Sequence, residues 1–72
     1  MSAPHPIIAQ LAAHRRAHQI TLKDTAAHAG YALNTIYRWE KGLNVPDLDG
    51  LTDYAAALGY DITLTPKGDP KQ

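Results

Sequence analysis

The sequence lacks cysteine and phenylalanine altogether, and its 72 residues include a single tryptophan. Without cysteine, neither a disulfide framework nor a thiolate zinc site nor a thiol nucleophile can form. No apolar run approaches the ~20 residues that a transmembrane helix needs. Residues 1–6 also lack the charged and apolar regions of a secretory signal. We therefore expect one small domain in the cytoplasm that has no membrane partner.

Net charge is also missing, because seven Lys and Arg side chains balance seven Asp and Glu side chains. The balance hides an asymmetry along the chain. Residues 1–41 carry five basic and two acidic side chains, whereas residues 42–72 carry two basic and five acidic ones. A basic N-terminal half is typical of a protein that turns one side towards a polyanion.

The sequence offers no set of side chains for catalysis. No Ser-His-Asp arrangement, phosphate loop or pair of acids on one helix face can be assembled. His14 and His18 have a spacing that can hold a metal ion, but no cysteine or nearby acidic side chain supplies a third ligand. We therefore expect a protein that is not an enzyme and that holds no cofactor and no metal.

Hydrophobic periodicity predicts four helices, over about residues 6–18, 22–29, 33–41 and 48–58. Thr21 and Asp47 are good N-caps for the second and the fourth helix. Gly30 can adopt the positive φ that ends the second helix. The 3-4-3 spacing of apolar residues in the fourth helix predicts a buried face made of Leu48, Leu51, Ala55 and Leu58.

The segment 60–65 changes to a period of two, with Tyr60, Ile62 and Leu64 alternating with polar residues. This pattern predicts a half-buried β-strand, which Pro66 ends. Because a single strand is not stable alone, we expect it to pair with a second copy and to bury these three side chains in a homodimer. The alternative is that the segment folds back on its own helices. Residues 66–72 are predicted to be a disordered tail.

The second and third predicted helices have the steric features of a helix-turn-helix. Ala26 is small enough for two helices to cross closely, Gly30 allows the turn four residues later, and Ile36 is a branched anchor on the third helix. The spacing predicts a helix-turn-helix domain over residues 1–59, followed by the strand and the tail.

The stretch from Ile20 to Gly59 resembles the Cro/lambda-repressor-like (XRE) helix-turn-helix family. The matching residues are Ile20 to Ala26, Ala29 to Tyr31, Thr35 to Gly42, Pro46 to Leu48, and Tyr54 to Gly59. The resemblance implies a mainly α, four-helix domain with a C-terminal β-strand, and a sequence-specific, usually dimeric, DNA-binding regulator. Four positions depart from the family's pattern. Ala32 stands where Ser or Thr normally caps the third helix, and Leu22 replaces a polar residue that contacts DNA. Thr25 stands where a larger aliphatic residue is usual, and His14 where Leu is often found.

The third helix would then read DNA, and its exposed residues are the candidates. Asn34 suits adenine and Arg38 suits guanine or a phosphate, and Leu33 and Tyr37 share their face. Candidate phosphate contacts are Arg16, Thr21, Lys23, Thr35, Lys41 and Asn44. An ordinary solvated role is the alternative for each of them. The resemblance further implies an Arg15–Glu40 pair that ties the first helix to the third, and Trp39 is expected in the core with Ala26, Gly30 and Ile36.

These features favour a phage-type repressor or Cro-like regulator of a bacterial or phage-infected cell. As a dimer it would read a palindromic operator in double-stranded DNA with the helix over residues 33–41. Two alternatives remain open. One is a HigA-like antitoxin that binds both DNA and a toxin partner, and the other is a protein-interaction module that has lost DNA binding.

Overall fold

The structure, a computed structural model, describes residues 3–68. Within this range it has four α-helices: α1 (Pro6–Ala17), α2 (Leu22–Ala29), α3 (Leu33–Glu40) and α4 (Leu48–Ala57). Each helix begins and ends within one residue of its predicted bounds, which confirms the mainly α, four-helix domain. The α2 helix packs against both α3 and α4, and α1 packs against α3. No helix within residues 3–68 is long and apolar enough to cross a bilayer.

Local hydrogen bonds set the helix ends. The Thr21 hydroxyl accepts a bond of 3.0 Å from the Asp24 N–H, and the Asp47 carboxylate accepts one of 2.7 Å from the Gly50 N–H. Gly30 ends α2 with φ of 83°, in the left-handed region that glycine reaches without steric cost. These caps are the ones that the sequence predicts, because capping depends only on neighbours along the chain.

The core lies where the four helices meet. It consists of Ile8, Leu11, Ala26, Ile36, Trp39, Tyr54, Ala55 and Leu58. The Trp39 ring meets the rings of Tyr31 and Tyr54 edge-on, with centroids 5.1 and 5.9 Å away. A Cβ atom at Gly50 would lie 3.0 Å from the Trp39 ring, so α4 approaches the indole closely there. One large aromatic side chain thereby fills most of the space between α3 and α4.

The buried face of α4 differs from its prediction at one end. Leu48 is 80% exposed, whereas Tyr54 is fully buried. The Trp39 ring occupies the inner side of the first turn of α4 against Gly50, so that Leu48 projects outwards. The buried residues of α4 are therefore Gly50, Tyr54 and Ala55, and Leu58 follows directly after the helix.

The predicted β-strand over residues 60–65 is not seen in the single chain. The structure has no β-strand within residues 3–68, so the segment finds no ladder of backbone bonds to join. The segment instead lies against α1, where Tyr60, Asp61, Ile62 and Thr63 border a cavity of about 240 Å³ with Ile7, Gln10 and Leu11. Residues 66–68 are irregular, and the remainder of the predicted tail, residues 69–72, lies outside the described range.

The N-terminus of α3 lacks a capping side chain. Ala32 has the extended backbone of an N-cap residue (φ −69°, ψ 148°), but its methyl group accepts no hydrogen bond. We predict that Ala32→Ser raises the free energy of unfolding by about 1 kcal/mol, because a hydroxyl there can accept from the Thr35 N–H. Urea unfolding measures the change. The control Ala13→Ser, at an exposed interior position of α1, should lower stability by about 0.5 kcal/mol. Equal effects of the two substitutions would contradict the capping interpretation.

Candidate nucleic-acid interface

The turn between α2 and α3 fixes how α3 stands on the domain. Ala26 is 4% exposed and Ile36 is fully buried, so the two helices meet at these positions. The Gly30 and Tyr31 N–H groups both donate to the Ala26 carbonyl, at 2.9 and 3.0 Å. These contacts form the helix-turn-helix that the spacing of the three residues predicts.

One side of α3 faces solvent along its whole length. Leu33 is 47% and Tyr37 40% exposed, and Asn34 is also exposed. The buried residues Ile36 and Trp39 lie on the opposite side. All four candidate base-reading side chains therefore reach one surface, three of them exposed and Arg38 partly exposed. We call this surface the α3 face: Leu33, Asn34, Tyr37 and Arg38.

Arg38 is the member of the α3 face whose side chain is held by the protein. Its guanidinium lies against the Asn44 side-chain amide, where Nη2 donates to Oδ1 at 3.4 Å. With the Asn44 amide turned over, Nε donates to the amide oxygen at 3.2 Å and the amide nitrogen donates to the Leu43 carbonyl at 2.7 Å. The Arg38 carbonyl accepts from the Leu43 N–H at 2.9 Å. The loop after α3 therefore sets the direction of this guanidinium, and Asn44 serves it as a partner.

The candidate phosphate contacts are spread over the edges of this surface. Lys23 is exposed in the first turn of α2, beside Thr21, whose hydroxyl still has its proton free to donate. Lys41 follows α3 with its Nζ 5.7 Å from the centre of the Tyr37 ring. Thr35 is partly exposed. Thr21 and Lys23 therefore lie at the start of α2, whereas Thr35 and Lys41 lie on α3 and directly after it.

Arg16 stands apart from that set. Its side chain is 62% exposed, but its Nη1 lies 3.9 Å from a Glu40 carboxylate oxygen. Part of its charge is therefore directed at an acid of the protein itself. We therefore assign Arg16 to the edge of the buried network described next, and not to the α3 face.

A buried network joins α1, α3 and α4 at the end of α3. Arg15 donates from Nε and Nη2 to the two Glu40 oxygens, at 2.8 and 2.9 Å. The Tyr54 hydroxyl donates to Glu40 at 2.7 Å, and Arg15 Nη1 donates to the Ile20 carbonyl at 2.9 Å. The side chains of Arg15 and Glu40 are only 11% and 6% exposed. Since each charged group has several partners, the cost of burying the pair is offset by its bonds.

Tyr54 is the member of the network that sequence reasoning missed. Its burial, and then its hydrogen bond to the Glu40 carboxylate, raise the pKa of its hydroxyl far above the usual range. It therefore stays a neutral donor at any physiological pH. A tyrosine on the otherwise aliphatic inner side of α4 was the available signal, because a buried hydroxyl needs a partner.

Leu22 explains one departure from the family's pattern. It is partly buried and packs against the core together with Ile20 and Tyr31. Its side chain therefore lies inwards and presents no polar group at the N-terminus of α2, where Thr21 and Lys23 are exposed.

The histidine pair on α1 lies away from the α3 face. The rings of His14 and His18 stack with centroids 4.1 Å apart, and His14 Nδ1 lies 2.9 Å from the Tyr60 hydroxyl. Within residues 3–68, no group of three or more His, Asp or Glu side chains is placed to hold a metal ion. The pair therefore contacts the C-terminal segment rather than a third acidic ligand.

Charge is divided between the helices as it is along the sequence. Lys23, Arg38 and Lys41 belong to the helix-turn-helix and its following loop, whereas Asp49 and Asp53 are exposed on α4. An approaching polyanion is attracted by the first set and repelled by the second.

Comparison with protein families agrees with this geometry. The model of the helix-turn-helix family HTH_3, which is of the XRE or Cro/lambda-repressor type, matches residues 11–64. The chain belongs to the XRE-type helix-turn-helix family. Comparison with curated proteins and with solved structures gave no match. The family consists of DNA-binding helix-turn-helix regulators, and the matched range includes α2, α3 and the network at Glu40.

Arg15 and Arg16 provide a matched test of the network in this XRE-type domain. We predict that Arg15→Met lowers the free energy of unfolding by about 3–5 kcal/mol, because Glu40 then remains buried without its cation. Arg16→Met should cost less than about 1 kcal/mol, since the Arg16 side chain is largely exposed and its contact with Glu40 is long. Urea unfolding of both variants measures the difference. Similar losses of stability for the two variants would show that Arg15 contributes no more to stability than a surface arginine does.

Proposed function

We propose that the chain is a repressor-type transcriptional regulator that reads an operator in double-stranded DNA by placing α3 in the major groove. The observation that carries the proposal is the α3 face, a solvent-facing surface with two polar and two apolar or aromatic side chains. It lies on the second helix of a helix-turn-helix in a DNA-binding family. In such a motif the second helix is the one that enters the groove. The setting that suits this role is the cytoplasm of a bacterial or phage-infected cell.

Each side chain of the α3 face has a chemistry that fits the groove. The exposed amide of Asn34 can donate to and accept from the N7 and N6 positions of adenine together. Arg38 suits guanine O6 and N7 or a phosphate, and Leu33 suits the methyl group of thymine. Tyr37 is placed to contact a base or the backbone. Asn34 is the principal base reader in this proposal, because it is exposed and adjoins the start of the helix.

Affinity would rest on few charges. Lys23, Lys41 and Arg16 are the exposed cations proposed to meet phosphates, with Thr21, Thr35 and Asn44 as neutral donors. The overall charge of zero adds no attraction beyond this set. From that distribution of charge we expect modest affinity for non-specific DNA, with the sequence specificity arising from α3.

A homodimer is proposed through the C-terminal segment. Tyr60, Ile62 and Leu64 are 45%, 40% and 98% exposed, so three apolar side chains face solvent within five residues. Association of two copies would remove them from water. Two α3 helices related by a two-fold axis would read a palindrome with half-sites about 34 Å apart, one turn of DNA.

A second candidate function, the antitoxin, has one observation in its favour. Leu43, Val45 and Leu48 are 52%, 84% and 80% exposed in and after the loop that follows α3. Exposed apolar side chains in one short stretch are typical of a surface that meets another protein. Co-purification with the product of the neighbouring reading frame tests this candidate.

Asn34→Ala and Lys23→Ala separate base reading from backbone contact. We predict that Asn34→Ala weakens binding to the preferred duplex by about 1–3 kcal/mol and relaxes the base preference at one position of each half-site. Lys23→Ala should weaken binding to all duplexes alike and reduce the salt slope by about one charge. Fluorescence anisotropy on a set of single-position duplex variants measures both. If Asn34→Ala left both the affinity and the base preference unchanged, α3 would not be the helix that reads the bases.

Leu64→Asp tests the dimer in the full-length chain. We predict that the wild-type protein has twice the 7.8 kDa mass of the chain by light scattering, and that Leu64→Asp shifts it to the monomer, because a buried carboxylate without a partner is costly. Leu48→Asp is the matched control, since Leu48 is also strongly exposed but lies outside the segment. A monomeric wild-type protein, or equal masses for wild type and Leu64→Asp, would contradict the proposed interface.

A further inference from the structure

The N-terminal segment lies directly over Gly42, the second residue after α3. A Cβ atom at Gly42 would lie 2.6 Å from the Ala3 carbonyl carbon and 2.8 Å from the Pro4 nitrogen. Both are backbone atoms, which cannot move aside as the end of a flexible side chain can. The backbone of residues 3–4 therefore occupies the space that any side chain at position 42 would need.

Two other glycines show that this contact is specific to Gly42. Gly30 and Gly59 have φ of 83° and 87°, close to the 75° of Gly42, but nothing lies within 4 Å of a Cβ at either position. The three share the backbone conformation that favours glycine. Of the three, only Gly42 has another part of the chain in the space where a side chain would lie. Substitutions at Gly30 and Gly59 therefore measure only the free-energy cost of a non-glycine residue at positive φ.

The loop after α3, over which residues 3–4 lie, contacts the α3 face through Arg38. Gly42 is followed by Leu43, whose N–H donates to the Arg38 carbonyl, and by Asn44, whose side-chain oxygen accepts from the Arg38 guanidinium. The other end of the N-terminal segment is fixed as well, because the His5 ring accepts a bond of 3.1 Å from the Ile7 N–H at the start of α1. The segment thus spans from the first turn of α1 to the loop that orients Arg38.

We propose that residues 3–4 act as a clamp on Gly42 that positions the Arg38 side chain for DNA, which makes Ala3, Pro4 and Gly42 positioning residues. This inference rests on the proposed DNA-binding function of the α3 face. The clamp contributes no charge, so its effect is transmitted through the loop to Arg38 and not through a phosphate contact of its own.

One measurement tests the clamp without DNA. The rate of solvent exchange of the Arg38 guanidinium protons, observed by NMR, reports their bond to Asn44. Gly42→Ala should speed this exchange, because the new Cβ displaces the segment and releases the loop. Gly30→Ala should leave it unchanged, since it adds the same φ strain in open space. The double substitution Ala3→Gly/Pro4→Gly loosens the segment without adding a Cβ atom at position 42, and it should also speed the exchange. This variant tests the clamp even if Gly42→Ala does not fold.

A second measurement uses the duplex that the wild-type protein selects from a random pool, at a temperature where every variant is folded. Gly42→Ala and the double glycine variant should each lower the affinity at least about 5-fold, the lower value of one lost arginine contact. On an Arg38→Ala background they should cause no further loss. A variant that merely destabilises the fold would not show this dependence on Arg38.

The outcomes separate the clamp from the function on which it rests. If Gly42→Ala behaves as Gly30→Ala in both measurements and the double glycine variant behaves as wild type, the clamp is wrong while DNA binding stands. If the wild-type protein selects no duplex, the proposed function fails, and the exchange rate of the Arg38 guanidinium protons alone then decides whether the clamp exists.

Discussion

The Glu40 carboxylate at the C-terminal end of α3 is the point at which three helices of the domain are joined. Arg15 reaches it from α1 and Tyr54 from α4, and both donate hydrogen bonds to it in a nearly dry environment. A carboxylate buried in this way is tolerated only while its partners are in place. No buried side-chain polar atom within residues 3–68 lacks a hydrogen-bond partner, so the network is complete in the part of the chain that the structure describes.

This network decides the orientation of the surface proposed to read DNA. Glu40 points inwards, and the neighbouring Arg38 and Lys41 lie towards the opposite side of α3 and its end. Ile36 and Trp39 hold the middle of the helix, and the Gly30 turn positions its start. The small number of core side chains makes each of these contacts important, since a domain of this size buries little apolar surface. The side of α3 opposite the α3 face is buried in the core at Ile36 and Trp39.

The features predicted from sequence are those that depend on neighbours along the chain. Helix bounds, the Thr21 and Asp47 caps and the Gly30 turn follow from local spacing, and the structure contains each of them. The Arg15–Glu40 pair came only from the family resemblance, since no periodicity joins residues 25 positions apart. The helix-turn-helix spacing placed Leu33, Asn34 and Tyr37 on the exposed side of α3, but it gave no sign that Asn44 holds Arg38.

The features that sequence missed are non-local. Hydrophobic periodicity predicted that Leu48 is buried in the core, because a local pattern carries no information about the Trp39 ring that occupies the space beside Gly50. Alternation at residues 60–65 has the period of a strand, yet a strand also needs a partner, and the single chain provides none within residues 3–68. The contact of residues 3–4 with Gly42 likewise has no local signature. In each case, tertiary packing determined what the local pattern left open.

Selection of bound duplexes from a random pool by the full-length protein tests the central claim most directly, namely that α3 reads a specific DNA sequence. The account predicts that successive rounds enrich one motif, with two inverted half-sites about one helical turn apart. A bound fraction that keeps the random composition of the starting pool would contradict it.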